Sequence, residues 1–353
     1  MNNRNSAHTG VWRDLTDPRR VIDGDDLEQG LKEPDFENLE IPEDLGPVDV
    51  RVDDHKIKRF AFVQDDHHPW FLQDSPFGGR IGHAGILGND LVQLFTTRYA
   101  ASRVVGLHTE EQLWFDNPVR LDETVTLSGQ YTDAYERRGQ GYVVMNAQAH
   151  GSDGRSIIRH RGIEILRTIP GHVAGRASSQ APAERRVTGD VAAGAPVADG
   201  LLDTPRPGTV LQPLPKIITQ EQASVFSRAG EYVRNIHNDL EIARKAGLRR
   251  PIVQGQQQIG LLLELLTRTF GAAWFTGGWI RVKFLQTVDV FEPIAASGII
   301  TDVTTGSDGT PTAHLDIWVR RADGKLSAAG WASCALPSAG FLAAETEKDQ
   351  SND

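Results

Sequence analysis

The sequence predicts an α+β fold made of two like units, each a helix laid against one face of an antiparallel sheet. Three observations carry this reading. The first half runs helix, polar loop, Gly-containing turn, helix and then a meander of strands, and the second half repeats that order. Sliding residues 115–134 forward by 169 positions onto 284–303 pairs Phe115 with Phe284, Val119 with Val288, Glu123 with Glu292, Ser128 with Ser297, Gly129 with Gly298, Thr132 with Thr301 and Asp133 with Asp302. So many gapless identities in so short a window exceed chance matching. The hairpin signals Asp153-Gly154 and Asp323-Gly324 fall at nearly the same separation. The chain therefore reads as an internal duplication of a unit of about 120 residues.

Residues 1–47 are rich in Asp, Glu, Arg and Pro with little periodicity, and are expected as a surface arm. The first unit spans 48–168. In it Ile57, Phe60, Ala61 and Val63 are spaced for one helix face. A polar loop over 64–71 and a Gly turn over 77–80 lead to a second helix over 83–99. Strands are expected at 104–115, 124–136, 141–148 and 156–167. Residues 169–208 carry Ala, Gly, Pro and Ser without periodicity, the composition of a linker. The second unit, 209–336, has a helix at 219–229, a polar loop around His237 and the longest apolar helix of the chain at 254–270. Its strands are expected at 279–288, 294–304, 312–321 and 325–335, before a polar tail over 337–353.

A chain of 353 residues is long enough for two domains of ordinary size, and 39% hydrophobic with 24% charged residues describes a soluble globular protein. A formal charge of −10 argues against a nucleic-acid surface, which needs clustered Lys and Arg. No apolar run approaches the ~20 residues of a membrane helix. The polar stretch 1–20 is not a secretory signal. With Cys334 as the single cysteine, an intramolecular disulfide is impossible, which fits a reducing cytoplasm. The sequence offers no Cys and His cluster with metal-ligand spacing, no phosphate loop and no Gly-x-Ser-x-Gly elbow, so no cofactor or metal is expected.

A long helix followed by an antiparallel meander buries its apolar surface on one sheet face. Two such units side by side give a double hot-dog arrangement. Within the second unit stand Asn235-Ile236-His237-Asn238-Asp239 and, downstream, Pro251-Ile252-Val253-Gln254-Gly255-Gln256. Here the chain resembles the MaoC-type hydratases and dehydratases, which include the R-specific enoyl-CoA hydratases. Their signature is an Asp, a spacer, Asn-Pro, an aliphatic residue and His, followed by a Pro-Ile-Val-His-Gly-Met-like turn. The resemblance covers both repeats and implies a hydro-lyase acting on an acyl thioester, carried by coenzyme A or an acyl carrier protein, with His237 as base. The carboxylate of the signature would fall at Tyr232, and the nearest acid is Glu231, preceded by Gly230. Either Glu231 takes the role through one extra loop residue, or Asp239 supplies the charge, or the site is not catalytic. In the first unit Asp66-His67-His68-Pro69-Trp70-Phe71 keeps the Asp and Pro, but Phe71 stands where the histidine would be. That unit looks like a degenerate copy whose groove holds the acyl chain.

A histidine and a carboxylate sharing one water can take a proton from it and protonate the α-carbon of an unsaturated thioester, worth on the order of 10²- to 10⁴-fold. The enolate oxygen that forms needs donors, and helix amino-termini present free N–H groups, here around Gly255. Glycine there also permits close approach of a substrate. Gln256, Asn235, Tyr232 and Arg249 complete the substrate-binding candidates, with the Arg249-Arg250 pair available to coenzyme A phosphates. Each has a plainer reading. Asn238-Asp239-Leu240-Glu241 is a sound helix cap, with Asp239 as a first-turn acid; Gly255 serves a tight turn, Arg249 is solvated, and Asp66, His68 and His83 are loop or cap residues. The other function classes kept open are a hot-dog thioesterase and a non-catalytic binding module. A homodimer is the expected assembly, with no nucleic-acid or membrane partner.

Overall fold

The computed structural model describes residues 28–100, 106–137, 139–166, 184–202, 204–227, 234–307 and 309–336. In chain order its elements are β1 (Glu43–Val52), α1 (Asp54–Gln64), a 3-10 turn Pro69–Phe71, α2 (Gly88–Val92) continuing as a 3-10 turn Gln93–Thr97, β2 (Leu107–Phe115), β3 (Glu123–Arg137), β4 (Gln140–Gly151) and β5 (Ser156–Leu166). Then follow β6 (Val197–Ala198), β7 (Val210–Ile217), α3 (Gln220–Phe226), α4 (Leu240–Lys245), α5 (Gly255–Phe270), α6 (Ala272–Gly277), β8 (Gly278–Phe284), β9 (Pro293–Thr305), β10 (Pro311–Arg321) and β11 (Leu326–Ala335).

All the described strands join one sheet in the order β1-β3-β4-β5-β2-β8-β11-β10-β9-β7-β6, antiparallel except for the short β6 against β7. The two halves meet at β2 and β8, where Trp114 faces Trp279 and Glu110 faces Lys283. One face of the sheet carries the helices. α5 is apolar and buried almost all round, with Leu261, Leu262, Leu263 and Leu266 fully enclosed, as a helix in the centre of a core must be. α1 starts where Asp53 accepts the Lys56 amide at 2.8 Å, buries Ile57, Phe60, Ala61 and Val63, and stops at Asp65 in the left-handed conformation.

The duplication is visible in the backbone as well. Gly82 N–H donates to Val119 O at 2.9 Å, and Val253 N–H donates to Val288 O at 2.8 Å. Asp122 and Phe291, also 169 positions apart, both have positive φ, and their amides donate to Val52 O and Ile218 O, each at 2.8 Å.

Three expectations need correction. β1 begins inside the expected arm, as the edge strand beside β3. The helix expected at 83–99 is cut to α2 and a 3-10 turn, because His83, Gly85 and Gly88 form turns before it and Thr97 bonds back to the Leu94 carbonyl at 2.8 Å. The stretch expected as a linker is not free along its described part: Glu184 pairs with Arg281 at 2.7 Å, Arg185 pairs with Asp316, and Val187 is buried with Trp318 on the sheet face away from the helices. Among the described residues no helix is long and apolar enough to cross a membrane.

Candidate active site at the start of the long helix

The His237 loop is built by side chain to backbone bonds. Asn235 Oδ1 accepts the His237 amide at 2.9 Å, Asn238 Oδ1 accepts the Asn235 amide at 2.9 Å, and Gln220 Nε2 donates to the His237 carbonyl at 3.1 Å. Asn235 therefore shapes the loop. Ile252 N–H donates to Ile236 O at 3.2 Å, tying the loop to the turn that opens α5.

In the half-buried ring of His237, Nδ1 lies 2.8 Å from the Ile252 carbonyl oxygen. A carbonyl only accepts, so Nδ1 carries the proton and Nε2 keeps a lone pair. Burial pushes the His237 pKa down to about 4, against a small upward pull from that carbonyl, so the ring is neutral near pH 7. The arrangement is that of an imidazole base of fixed tautomer, bonded to the carbonyl two positions before the cap of α5.

At that terminus Gln254 is the cap, its N–H reaching Gln257 Oε1 at 3.4 Å. Gly255 is required by packing: a Cβ there would lie 2.8 Å from Cζ of Phe284. Its close neighbour is thus a ring of the protein rather than open groove. The buried Gln256 places Oε1 2.9 Å from where a Cβ on Gly88 would be, so its amide faces the first repeat. Among the described residues its buried Nε2 has no hydrogen-bond partner.

The structure disposes of the acids differently from one another. Asp239 caps α4, with Oδ1 accepting Glu241 N–H at 2.9 Å and Ile242 N–H at 3.0 Å while Oδ2 accepts from Arg234 at 2.7 Å. Both oxygens are engaged, and the carboxylate works as a cap rather than as a partner of His237. Glu231 and Tyr232 lie outside the described residues. Arg249 is largely exposed and pairs with Asp289 at 2.8 Å.

In the first repeat Phe71 is buried where an imidazole would stand, and His68 caps the 3-10 turn with Nδ1 3.3 Å from the Trp70 amide. His83 is buried, accepts the Gly85 amide at 2.9 Å on Nδ1, and turns Nε2 toward Asp66 Oδ2 at 3.5 Å. Ile81 bridges to Arg120 as Ile252 bridges to Asp289, which puts His83 at the place of Gln254. Sequence reasoning passed over His108, Glu111 and His160, three buried or nearly buried polar side chains on inward strand positions. A charged residue within an otherwise apolar inward alternation is the signal that marks them.

No family model matches the chain, and no curated protein matches it in sequence. Solved structures do match. A MaoC-like dehydratase, 15% identical, superposes with a TM-score of 0.64 over 85% of this chain and 99% of its own. A conserved hypothetical protein from Mycobacterium tuberculosis described as having a double hotdog fold, also 15% identical, gives 0.60 over 86% and 98%. The fold is a double hot-dog. A MaoC-like dehydratase from Phytophthora capsici, 15% identical, gives 0.57 over 85% of this chain and 96% of its own. The resemblance read from the motif thus holds at the level of the double hot-dog.

Proposed function

We propose that this double hot-dog protein is a hydro-lyase that adds water to, or removes it from, an acyl thioester, with the chemistry in the second repeat. The observation that carries the reading is the bond from His237 Nδ1 to the Ile252 carbonyl, which leaves a neutral Nε2 as base at the opening turn of α5. Two of the solved structures that share the double hot-dog fold are described as MaoC-like dehydratases.

In this reading Nε2 of His237 takes a proton from water as its oxygen bonds to the β-carbon. Charge moves to the thioester oxygen, where the first amides of α5, at Gly255 and Gln256, receive it. The α-carbon then takes a proton from a carboxylic acid, a role we give to Glu231. The acyl chain lies toward the first repeat, and coenzyme A or a carrier protein holds its thioester end.

The test is a panel of enoyl-CoA substrates offered to the full chain. Loss of the enone absorbance without release of free thiol supports the reading. Thiol release with the double bond intact would assign a thioesterase instead, and no turnover of either kind would leave a binding module.

A further inference from the structure

A second group of titratable side chains is buried on the inner sheet face of the first repeat. Glu111 on β2 is fully buried, and its Oε2 lies 2.7 Å from His108 Nε2 and 3.0 Å from His160 Nε2. His108 and Glu111 are three positions apart on one strand, and regular alternation would turn them to opposite faces. A bulge at Thr109 overrides this. His108 pairs with Glu164 and Glu110 with Ile163, so the extra residue brings both side chains inward, while Thr109 Oγ1 donates to the Ile163 carbonyl at 2.8 Å. Bulges recur beside active sites because they re-aim a side chain.

The fold does not demand this array. Phe115 faces Ile158 in the first repeat as Phe284 faces Ala328 in the second, so Ile280, Gly330 and Ala332 occupy the places of Glu111, His160 and Gly162. Among the described residues, two buried polar atoms of the array, Glu111 Oε1 and His160 Nδ1, have no hydrogen-bond partner. The array also adjoins the proposed site. The His108 ring is 5.1 Å from that of Phe284, the ring packed on Gly255 at the start of α5, and 14% of the His108 side chain is exposed.

We propose that His108 is a further catalytic residue of the second-repeat site, donating from Nδ1 to the thioester oxygen, with Glu111 and His160 as the positioning residues that hold its ring. This rests on the hydro-lyase reading. Among the described residues Nε2 of His108 meets only acceptors, Glu111 Oε2 and the Glu110 carbonyl at 3.0 Å, so it carries a proton, and Nδ1 is a donor once the ring is charged. Burial opposes that charge, yet the carboxylates of Glu111 and, on β5, Glu164 outweigh it and hold the His108 pKa above its ordinary value. Burial would likewise raise the Glu111 carboxyl, but the two imidazoles draw it down to about 2. From β8 the array meets Phe284. Arg281 binds Glu110 at 2.7 Å on the opposite face, with Lys283 beside it. The imidazolium forms no bond to substrate. It shares, through one hydrogen bond, the negative charge that the α5 amides receive.

The test uses His108→Gln and Glu111→Gln in the full chain, with crotonyl-CoA as the turnover probe and imidazole ¹⁵N resonances recorded with and without hexanoyl-CoA, a saturated thioester that cannot be hydrated. His108→Gln should lower kcat by about 10²-fold while KM changes by less than about 3-fold, the pattern of a lost transition-state donor. In the wild type, kcat should fall as pH rises through the His108 pKa, and in Glu111→Gln that limb should move to lower pH. Because Glu111→Gln disturbs a fully buried group, the His108 variant decides alone if the other does not fold. Wild-type turnover with His108→Gln unimpaired overturns the proposal and leaves the hydro-lyase reading standing. No turnover of any enoyl thioester, with hexanoyl-CoA still shifting the His108 resonances, overturns that reading and keeps the ligand contact; no shift and no turnover overturn both.

Discussion

Gln112 on β2 lies directly opposite Arg281 on β8, the residue 169 positions later that holds the same place in the second repeat. A pseudo-twofold axis therefore passes between these two side chains. Each end of the β2–β8 seam brings a strand of one repeat toward the helix start of the other, which is why His108 of the first repeat lies against Phe284 of the second, the ring packed on Gly255.

His237→Ala should lower kcat on an enoyl thioester by about 10²-fold or more, as loss of a general base does. With the His237 pKa pushed down to about 4, its base form is present above that pH, and the acid limb of the rate should appear as pH drops through it. Steady-state rates from pH 4 to 8 check both points, and a variant that keeps wild-type kcat would remove the base from the mechanism.

Asp239→Ala should lower the melting temperature by removing the α4 cap while leaving kcat at the wild-type level. A large loss of kcat with little change in melting temperature would return Asp239 to the chemistry.

Gly260 in α5 faces the fully buried amide of Gln64 at the end of α1, and a Cβ there would lie 2.4 Å from the amide atoms. Gly260→Ala should cost roughly 1–3 kcal/mol through overpacking. In a Gln64→Ala background the same change should stabilise by roughly 1 kcal/mol, since Ala outranks Gly in helices. Urea denaturation of the four chains decides it, and equal effects in both backgrounds would show that the two positions do not touch.

Burial pushes the His83 pKa down to about 4, although the Asp66 carboxylate pulls the other way. As pH falls below about 6.5 the unfolded chain takes up a proton on this histidine that the folded chain refuses, so stability drops across the window down to about 4, by on the order of 3 kcal/mol. Urea midpoints at pH 7 and 4.5 should fall more steeply for the wild type than for His83→Gln. Parallel slopes would mean that His83 protonates freely in the folded state.

Cys334 is fully buried on β11, and burial raises its thiol well above the usual range. Since the thiolate is the reactive form, an aromatic disulfide reagent at pH 8 should leave the native protein untouched and titrate the thiol only after unfolding. Prompt reaction of the native protein would show that the last strand opens easily.

The inner strands were legible because inward apolar residues alternate along them, and the pairs Phe115/Phe284 and Gly129/Gly298 gave the duplication directly. The outermost strands were not. β1 carries Pro47 and β7 carries Pro213 and Pro215, and both shift register at matching points, between Leu45 and Val48 and between Leu211 and Leu214. Proline is tolerated in edge strands and bulges, so its presence hid two strands that the fold places at or near the sheet margins. His237 could be singled out because it stands among helix-capping residues in one short loop. The His108, Glu111 and His160 array could not, since its members come from two strands and depend on a bulge that no local pattern announces.

Joining the two halves in one polypeptide has a genetic consequence. In an assembly of two identical subunits, any change made beside one helix start is made beside the other. Here Glu111 and Ile280 hold matched places yet are encoded separately. One end of the seam has accepted a carboxylate and two imidazoles while the other stays hydrocarbon, so each can be altered without a compromise imposed by its twin.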